Sequence, residues 1–170
     1  MSGYIDTNMS WDDIAWIRAQ LLPTASSSPR SPYGTPEPDM LVGVKGVQRV
    51  QDVLLAIDAG ANIIWISNHG GRSLDSAPPP LHVLLELQRD HPWVFGLPNV
   101  EIYVDGGVRR GTDVVKALCL GARGVALGRP FMYALQYGTE GVRAAIQSNV
   151  LSPSFPPRPT LSSIYLSMDY

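Results

Sequence analysis

From residue 40 to residue 148 the apolar positions come in two alternating textures. Short, nearly unbroken runs rich in β-branched residues give way to longer stretches in which apolar residues recur every three or four positions. The runs 40–45 (MLVGVK), 63–67 (IIWIS), 100–104 (VEIYV) and 124–127 (GVAL) predict strands of a parallel sheet, because strands covered on both faces read as continuous apolar segments. The stretches 47–59, 81–89, 112–120 and 139–147 predict the helices that follow them. In the first, Val47, Val50, Val53, Leu54 and Ile57 share one side. Gly60 and Gly121 supply helix stops. An earlier helix over 11–22 opens on Ser10 as cap, with Asp13 three residues on and an apolar stripe of Ile14, Ile17 and Leu21. A βα unit repeated four times is the signature of an α/β fold.

Proline and serine set the boundaries. Residues 23–38, PTASSSPRSPYGTPEP, hold almost no large apolar side chain, so burial cannot offset the cost of ordering them. The tail LSPSFPPRPTLSSIYLSMDY lacks helical period, although Ile164, Tyr165 and Leu166 can pack locally. The organisation expected is an N-terminal helical region over 1–22, a disordered insertion over 23–39, a βα domain over 40–148 and a loose tail over 149–170. The chain's 170 residues, 45% of them apolar, suffice for one buried core. Thirteen basic against fifteen acidic residues leave a net charge of −2, which gives no field to draw nucleic acid or an anionic membrane. Cys119 is the single cysteine, so neither a disulfide framework nor a multi-cysteine metal site is expected, and a reducing compartment is permitted. No apolar run reaches the ~20 residues of a membrane span, and MSGYIDTNMS has no signal-peptide pattern. A soluble, intracellular protein is the expectation, with no metal.

Polar residues collect where each predicted strand meets its helix: Lys45, then 67–72, then 105–110, then Gly128 and Arg129. The steps from Lys45 to His69, Asp105 and Gly128 each match one βα unit, which puts all four clusters on the C-terminal edge of the sheet, where α/β folds bind ligands. DGGVRRG (105–111) follows a strand and opens a helix. Its glycines let backbone N–H groups approach an anion, and Arg109 or Arg110 can fork onto phosphate oxygens, or the segment is simply a tight turn. GRP at 128–130 adds a second Gly and Arg after the next strand and favours phosphate. In SNHGGRSLD (67–75), His69 is placed to remove a proton near neutral pH and Arg72 to clamp a carboxylate, which suits a small hydroxy or keto acid. The plainer alternative is a capping histidine and an arginine paired with Asp75. Lys45, ending its strand, is either a solvated lysine or a cation for charge developing on a cofactor ring. Asp105 binds a sugar-type hydroxyl or caps the next helix. His82 and His91 read as solvated, and Cys119 as a small core residue.

In these motifs the chain resembles the FMN-dependent α-hydroxy acid dehydrogenase family, which includes glycolate oxidase, lactate oxidases and the cytochrome-linked L-lactate dehydrogenase. The segments that carry the likeness are YIDTNMSWDDIAWI, VKGVQRVQDV, SNHGGRSLD and DGGVRRGTDVVKALCLGARGVALGRPFMYALQYG, in that order, spanning about residues 4 to 146. The resemblance implies a TIM barrel of which this chain supplies four (β/α) units, the second half, leaving the barrel incomplete. It implies FMN as cofactor and oxidation of a small L-2-hydroxy acid, L-lactate-like, to the 2-oxo acid. By the same likeness His69 is the catalytic base and contacts substrate, with the Cα hydrogen leaving as proton or hydride. Arg72 binds the substrate carboxylate. Lys45 and Ser67 contact the flavin, and Asp105, Gly107, Arg109, Gly128 and Arg129 hold its ribityl phosphate. The family's substrate tyrosines and the aspartate that orients the histidine have no counterpart here, and the family places such a chain in mitochondria or cytoplasm. The alternative is a non-catalytic half-barrel that binds phosphate or flavin, or a structural subunit. Four strands cannot close a barrel, so exposed edges and an exposed inner apolar face, with self-association through the edges, are expected.

Overall fold

A computed structural model describes residues 8–21, 41–150 and 164–165. The predicted insertion over 23–39 lies outside the described residues, as does most of the tail. Five parallel strands form one sheet in sequence order: β1 (Gly43–Val47), β2 (Ile63–Ile66), β3 (Glu101–Asp105), β4 (Gly124–Ala126) and β5 (Ile164–Tyr165). The α-helices are α1 (Trp11–Leu21), α2 (Val50–Asp58), α3 (Pro80–Asp90), α4 (Gly111–Cys119), α5 (Arg129–Leu135) and α6 (Gly138–Val150). The four predicted strands and their helices are all present, so the chain is an α/β partial barrel.

Helices α2 and α4 end as their sequences dictate. After α2, Gly60 takes a positive φ while its N–H donates to the Ile57 carbonyl and that of Ala61 to the Ala56 carbonyl, both at 2.9 Å. After α4, Gly121 and Ala122 repeat the arrangement on Leu118 and Ala117. This paired closure satisfies carbonyls that a helix end would leave orphaned. At the start of α1 the Asp13 carboxylate accepts from Ser10 N at 2.6 Å and from the Ser10 hydroxyl at 3.2 Å, which forms one half of the expected cap, while Asp13 N donates to the Ser10 carbonyl and not to its hydroxyl. Arg18, one turn from the end of α1, donates to the carbonyl of Gly60 and to Asn62 Oδ1, which fastens α1 beneath the N-terminal edge of the sheet.

The two faces of the sheet differ in kind. Alternation along the strands sends Ile64, Ile66, Ile102, Val104 and Val125 to one side, where they join Val53, Leu84, Leu87 and Ala117 of the helices in a single apolar core. Lys45, Trp65, Tyr103 and Gly124 pair across the sheet in one row of the opposite face, with Ser67 and Asp105 one row further along. Trp65 and Tyr103 stack with centroids 5.7 Å apart, and the Tyr103 hydroxyl donates to Glu101 at 2.7 Å. The expectation of an inner apolar face is therefore corrected. That face is largely aromatic and charged, because Trp65 and Ser67 of IIWIS and Glu101, Tyr103 and Asp105 of EIYVD all point to it, with Ile63 the apolar member of the row.

Four further departures have local causes. Lys45 does not end β1: a bulge at Gly46, with φ +98°, carries the pairing on to Val47. The GRP turn opens a helix, α5, that was not anticipated; Pro130 suits a first turn because its missing N–H would have no partner there. Ile164 and Tyr165 pair with Val125 and Ala126, so this part of the expected loose tail is a fifth strand along the β4 edge. Cys119 is exposed and not a core residue, since it falls on the outer side of α4 from Val114 and Ala117. His82 is exposed as expected.

The two faces of α3 give a stability test. Leu87→Ala empties a site with no solvent exposure and should cost about 2 to 5 kcal/mol, whereas Leu85→Ala, at a 52% exposed position, should cost about 0.5 kcal/mol or less; urea unfolding of both variants measures the contrast.

Candidate active site

The C-terminal ends of β2, β3 and β4 surround a cavity of about 480 Å³. Strand alternation explains its floor. Asp105, the last residue of β3, is only 8% exposed, and its carboxylate gathers donors from two neighbouring strands. Lys45 Nζ of β1 lies 3.4 Å from Oδ2, Trp65 Nε1 of β2 donates to the same oxygen at 3.1 Å, and the fully buried Ser67 hydroxyl donates to Oδ1. Ser67 Oγ in turn accepts from His69 N at 3.0 Å, which carries the network into the loop after β2. The alternative of Asp105 as a helix cap is corrected: Asp113 caps α4, its carboxylate accepting from the backbone N–H groups of Arg109 and Arg110 at 3.1 Å.

That loop is conformationally unusual. His69, Gly70 and Gly71 all have positive φ, at 55°, 67° and 77°. A histidine in the left-handed region is uncommon, and such outliers persist where the surroundings over-determine them. Here Asn68 accepts from Gly71 N through both its carbonyl, at 2.9 Å, and its side chain, at 3.2 Å. Arg72 Nη2 lies 3.2 Å from His69 Nε2. A guanidinium only donates, so in this hydrogen bond Nε2 is the acceptor. Arg72 thus contacts His69, while Asp75 accepts from Ser76 N, and the expected alternative of an Arg72 and Asp75 pair is not formed. From the far side of the cavity, Arg129 Nη2 donates to the Gly70 carbonyl at 2.7 Å.

Of the residues expected at the site, His69, Arg72, Asp105, Gly107, Gly128 and Arg129 line the cavity. Lys45 and Ser67 reach it through Asp105, whereas the Arg109 side chain is not part of the lining. Met132, Tyr133 and Gln136, on one face of α5, complete the wall. Sequence reasoning missed them for want of the helix, although their spacing was readable once GRP was taken as a helix start. It also missed Trp65. The signal was the period of two, which sets Trp65 on the same face as Ser67. No group of three or more His, Cys, Asp or Glu able to hold a metal occurs among the described residues, and no described helix is long and apolar enough to cross a membrane.

Comparison with known proteins identifies the family of the chain. Residues 36–149 match the family model described as FMN-dependent dehydrogenase, and the chain belongs to that family. It is 47% identical over 148 residues to an L-lactate dehydrogenase (cytochrome) of Wickerhamomyces anomalus, covering 86% of this chain and 23% of that protein. To the glycolate oxidase of Spinacia oleracea it is 38% identical, covering 86% and 34%. Among solved structures, the recombinant flavin-binding domain of baker's yeast flavocytochrome b2 superposes with a TM-score of 0.71 at 41% identity, over 88% of this chain and 34% of that one. The chain therefore spans about a quarter to a third of the length of these relatives, and its parallel sheet matches part of their barrel.

The carboxylate on the cavity floor can be tested directly. Asp105→Asn removes the charge partner of Lys45 and leaves an amide facing donors that need an acceptor. It should lower stability by roughly 1 to 3 kcal/mol in urea unfolding, with a change in tryptophan fluorescence as the Trp65 bond is lost.

Proposed function

We propose that this chain carries the FMN-binding and proton-transfer portion of an enzyme that oxidises a small L-2-hydroxy acid, of the L-lactate type, to the 2-oxo acid. The single observation that carries the proposal is the convergence of His69, Arg72 and Arg129 on one cavity at the C-terminal edge of the sheet. Its volume falls in the range of cofactor sites. The cavity suits FMN in chemistry too. Where a Cβ would stand on Gly107 there is open space, so a ligand can come against the backbone, and Arg129 offers a guanidinium to a phosphate. Arg109 follows in the same loop, and Gly128 lines the cavity after β4. Ala126, Leu127 and Val108 provide apolar wall for a ring system. FMN, when bound, supplies the two-electron acceptor.

The protein's own part then follows from the contacts. The substrate carboxylate binds Arg72, whose planar fork matches it. In taking Arg72 the carboxylate draws the guanidinium from His69 Nε2 and frees that lone pair to accept a proton from the substrate. Substrate binding and exposure of the base are thereby one event. Lys45, held by Asp105, presents a positive charge beside the cavity floor, where it stabilises negative charge that develops during oxidation. Ser67 fixes the start of the histidine loop through His69 N.

One observation favours a second reading, a flavin- or phosphate-binding half-barrel without turnover. Among the described residues the His69 ring has Arg72 as its polar neighbour and no carboxylate to orient it. The two readings separate on purified protein reconstituted with FMN. We expect weak flavin retention and L-lactate oxidation at no more than a trace of an intact relative's rate. His69→Gln should lower that residual rate by roughly 10²-fold or more while sparing flavin absorbance, and Arg72→Lys should raise KM more than it lowers kcat. Flavin absorbance without any His69-dependent turnover establishes the second reading. Loss of both dismisses the assignment.

A further inference from the structure

We propose that Arg129 is a positioning residue for the His69 loop, and that an anion bound at its free N–H groups and the ordered loop stabilise one another. The proposal rests on the reading of Arg129 as a phosphate ligand but adds to it a second task for the same side chain. Three observations carry it. Arg129 opens α5, on the element after β4, yet its Nη2 reaches across the cavity to the carbonyl of Gly70, 59 positions away in sequence. Gly70 immediately follows His69 and sits in the middle of three consecutive positive-φ residues, so its carbonyl direction and the placement of the imidazole are set together. The guanidinium packs so closely on Gly70 that a Cβ there would meet it, so a larger residue would displace the end of this flexible side chain and the contact with it.

The bonding inventory makes the two tasks compatible. A guanidinium carries five N–H donors in a rigid plane, and the Gly70 carbonyl uses one. The remaining edge stays available to an anion. Arg129 is otherwise solvent-exposed, and a long exposed side chain holding one hydrogen bond loses much of its gain to rotamer entropy. An anion that fixes the guanidinium from the other edge removes that loss and strengthens the grip on Gly70. By linkage the effect is reciprocal: a loop already held should bind the anion more tightly by the same factor.

The experiment uses the full chain, with amide hydrogen exchange of residues 69–72 read by NMR and inorganic phosphate as the probe. Arg129→Ala should raise exchange at Gly71 roughly three- to tenfold, the size of one charge-assisted hydrogen bond at an exposed site, and shift the ring resonances of His69. Exchange at Val53 and Leu87, in the core, should not change, which excludes general destabilisation. Arg129→Lys keeps the charge but lacks the planar fork, and should restore part of the phosphate binding without restoring loop protection. In the unsubstituted chain, saturating phosphate should slow Gly71 exchange. Unchanged loop exchange and unchanged His69 resonances in Arg129→Ala overturn the positioning role, even where phosphate still binds the parent chain. Phosphate that binds without slowing the loop overturns the coupling and leaves the phosphate reading standing. Phosphate that fails to bind at all removes both that reading and the coupling, and leaves the exchange of Arg129→Ala to decide the positioning role.

Discussion

A buried carboxylate at the end of a central strand organises this molecule. Removing a charge from water is costly unless donors replace the lost hydration, and Asp105 is provided with three, from Lys45, Trp65 and Ser67. Those donors stand on β1, on β2 and just past its end while the acceptor stands on β3, so satisfying one side chain holds three strands in register at the edge where the cavity opens. The same contact sets the chemistry. It keeps a lysine cation near the cavity floor and, through Ser67, anchors the backbone at which the histidine loop departs.

Division of labour between the two sheet faces follows from the period of two. Ile64, Ile66, Ile102, Val104 and Val125 are spent on the helices, and their partners in alternation form a row rich in polar-tipped and aromatic groups on the other side. An apolar run such as IIWIS conceals this arrangement. Its composition reads as buried on both faces, and only the phase relative to Ser67 shows that Trp65 belongs with the functional face. For that reason the strands, their order along the chain and the common edge of the loops were legible in the sequence, whereas the character of the inner face was not.

The same distinction runs through the site. Residue types at the strand ends were sufficient to nominate His69, Arg72, Asp105, Gly107, Gly128 and Arg129, and the cavity brings these six together. What spacing could not convey was which donor meets which acceptor. The pairing of Arg72 with His69 instead of Asp75, and the capping of α4 by Asp113 instead of Asp105, depend on side-chain directions that a few degrees of backbone rotation decide. The reach of Arg129 to Gly70 is likewise a tertiary contact with no local signal. Helix α5 was hidden for another reason: a helix of seven residues that begins inside the Gly-Arg-Pro triplet is too short for periodicity to register. The Ile164 and Tyr165 strand lies in a proline-rich segment whose composition argues for a loop, and pairing with β4 overrides it.

The placement of that last strand bears on how the chain is made. β4 is synthesised about forty residues before the segment that lies along its edge. As the polypeptide leaves the ribosome, the helices that cover β1 to β3 are already available to collapse, but the β4 flank of the newly formed sheet keeps unmet backbone donors and acceptors until residues 164–165 emerge. Nascent chains halted within that interval would present an adhesive border, and the pace of translation over α6 and beyond thus bears on whether the product ends as separate molecules or as a tangle.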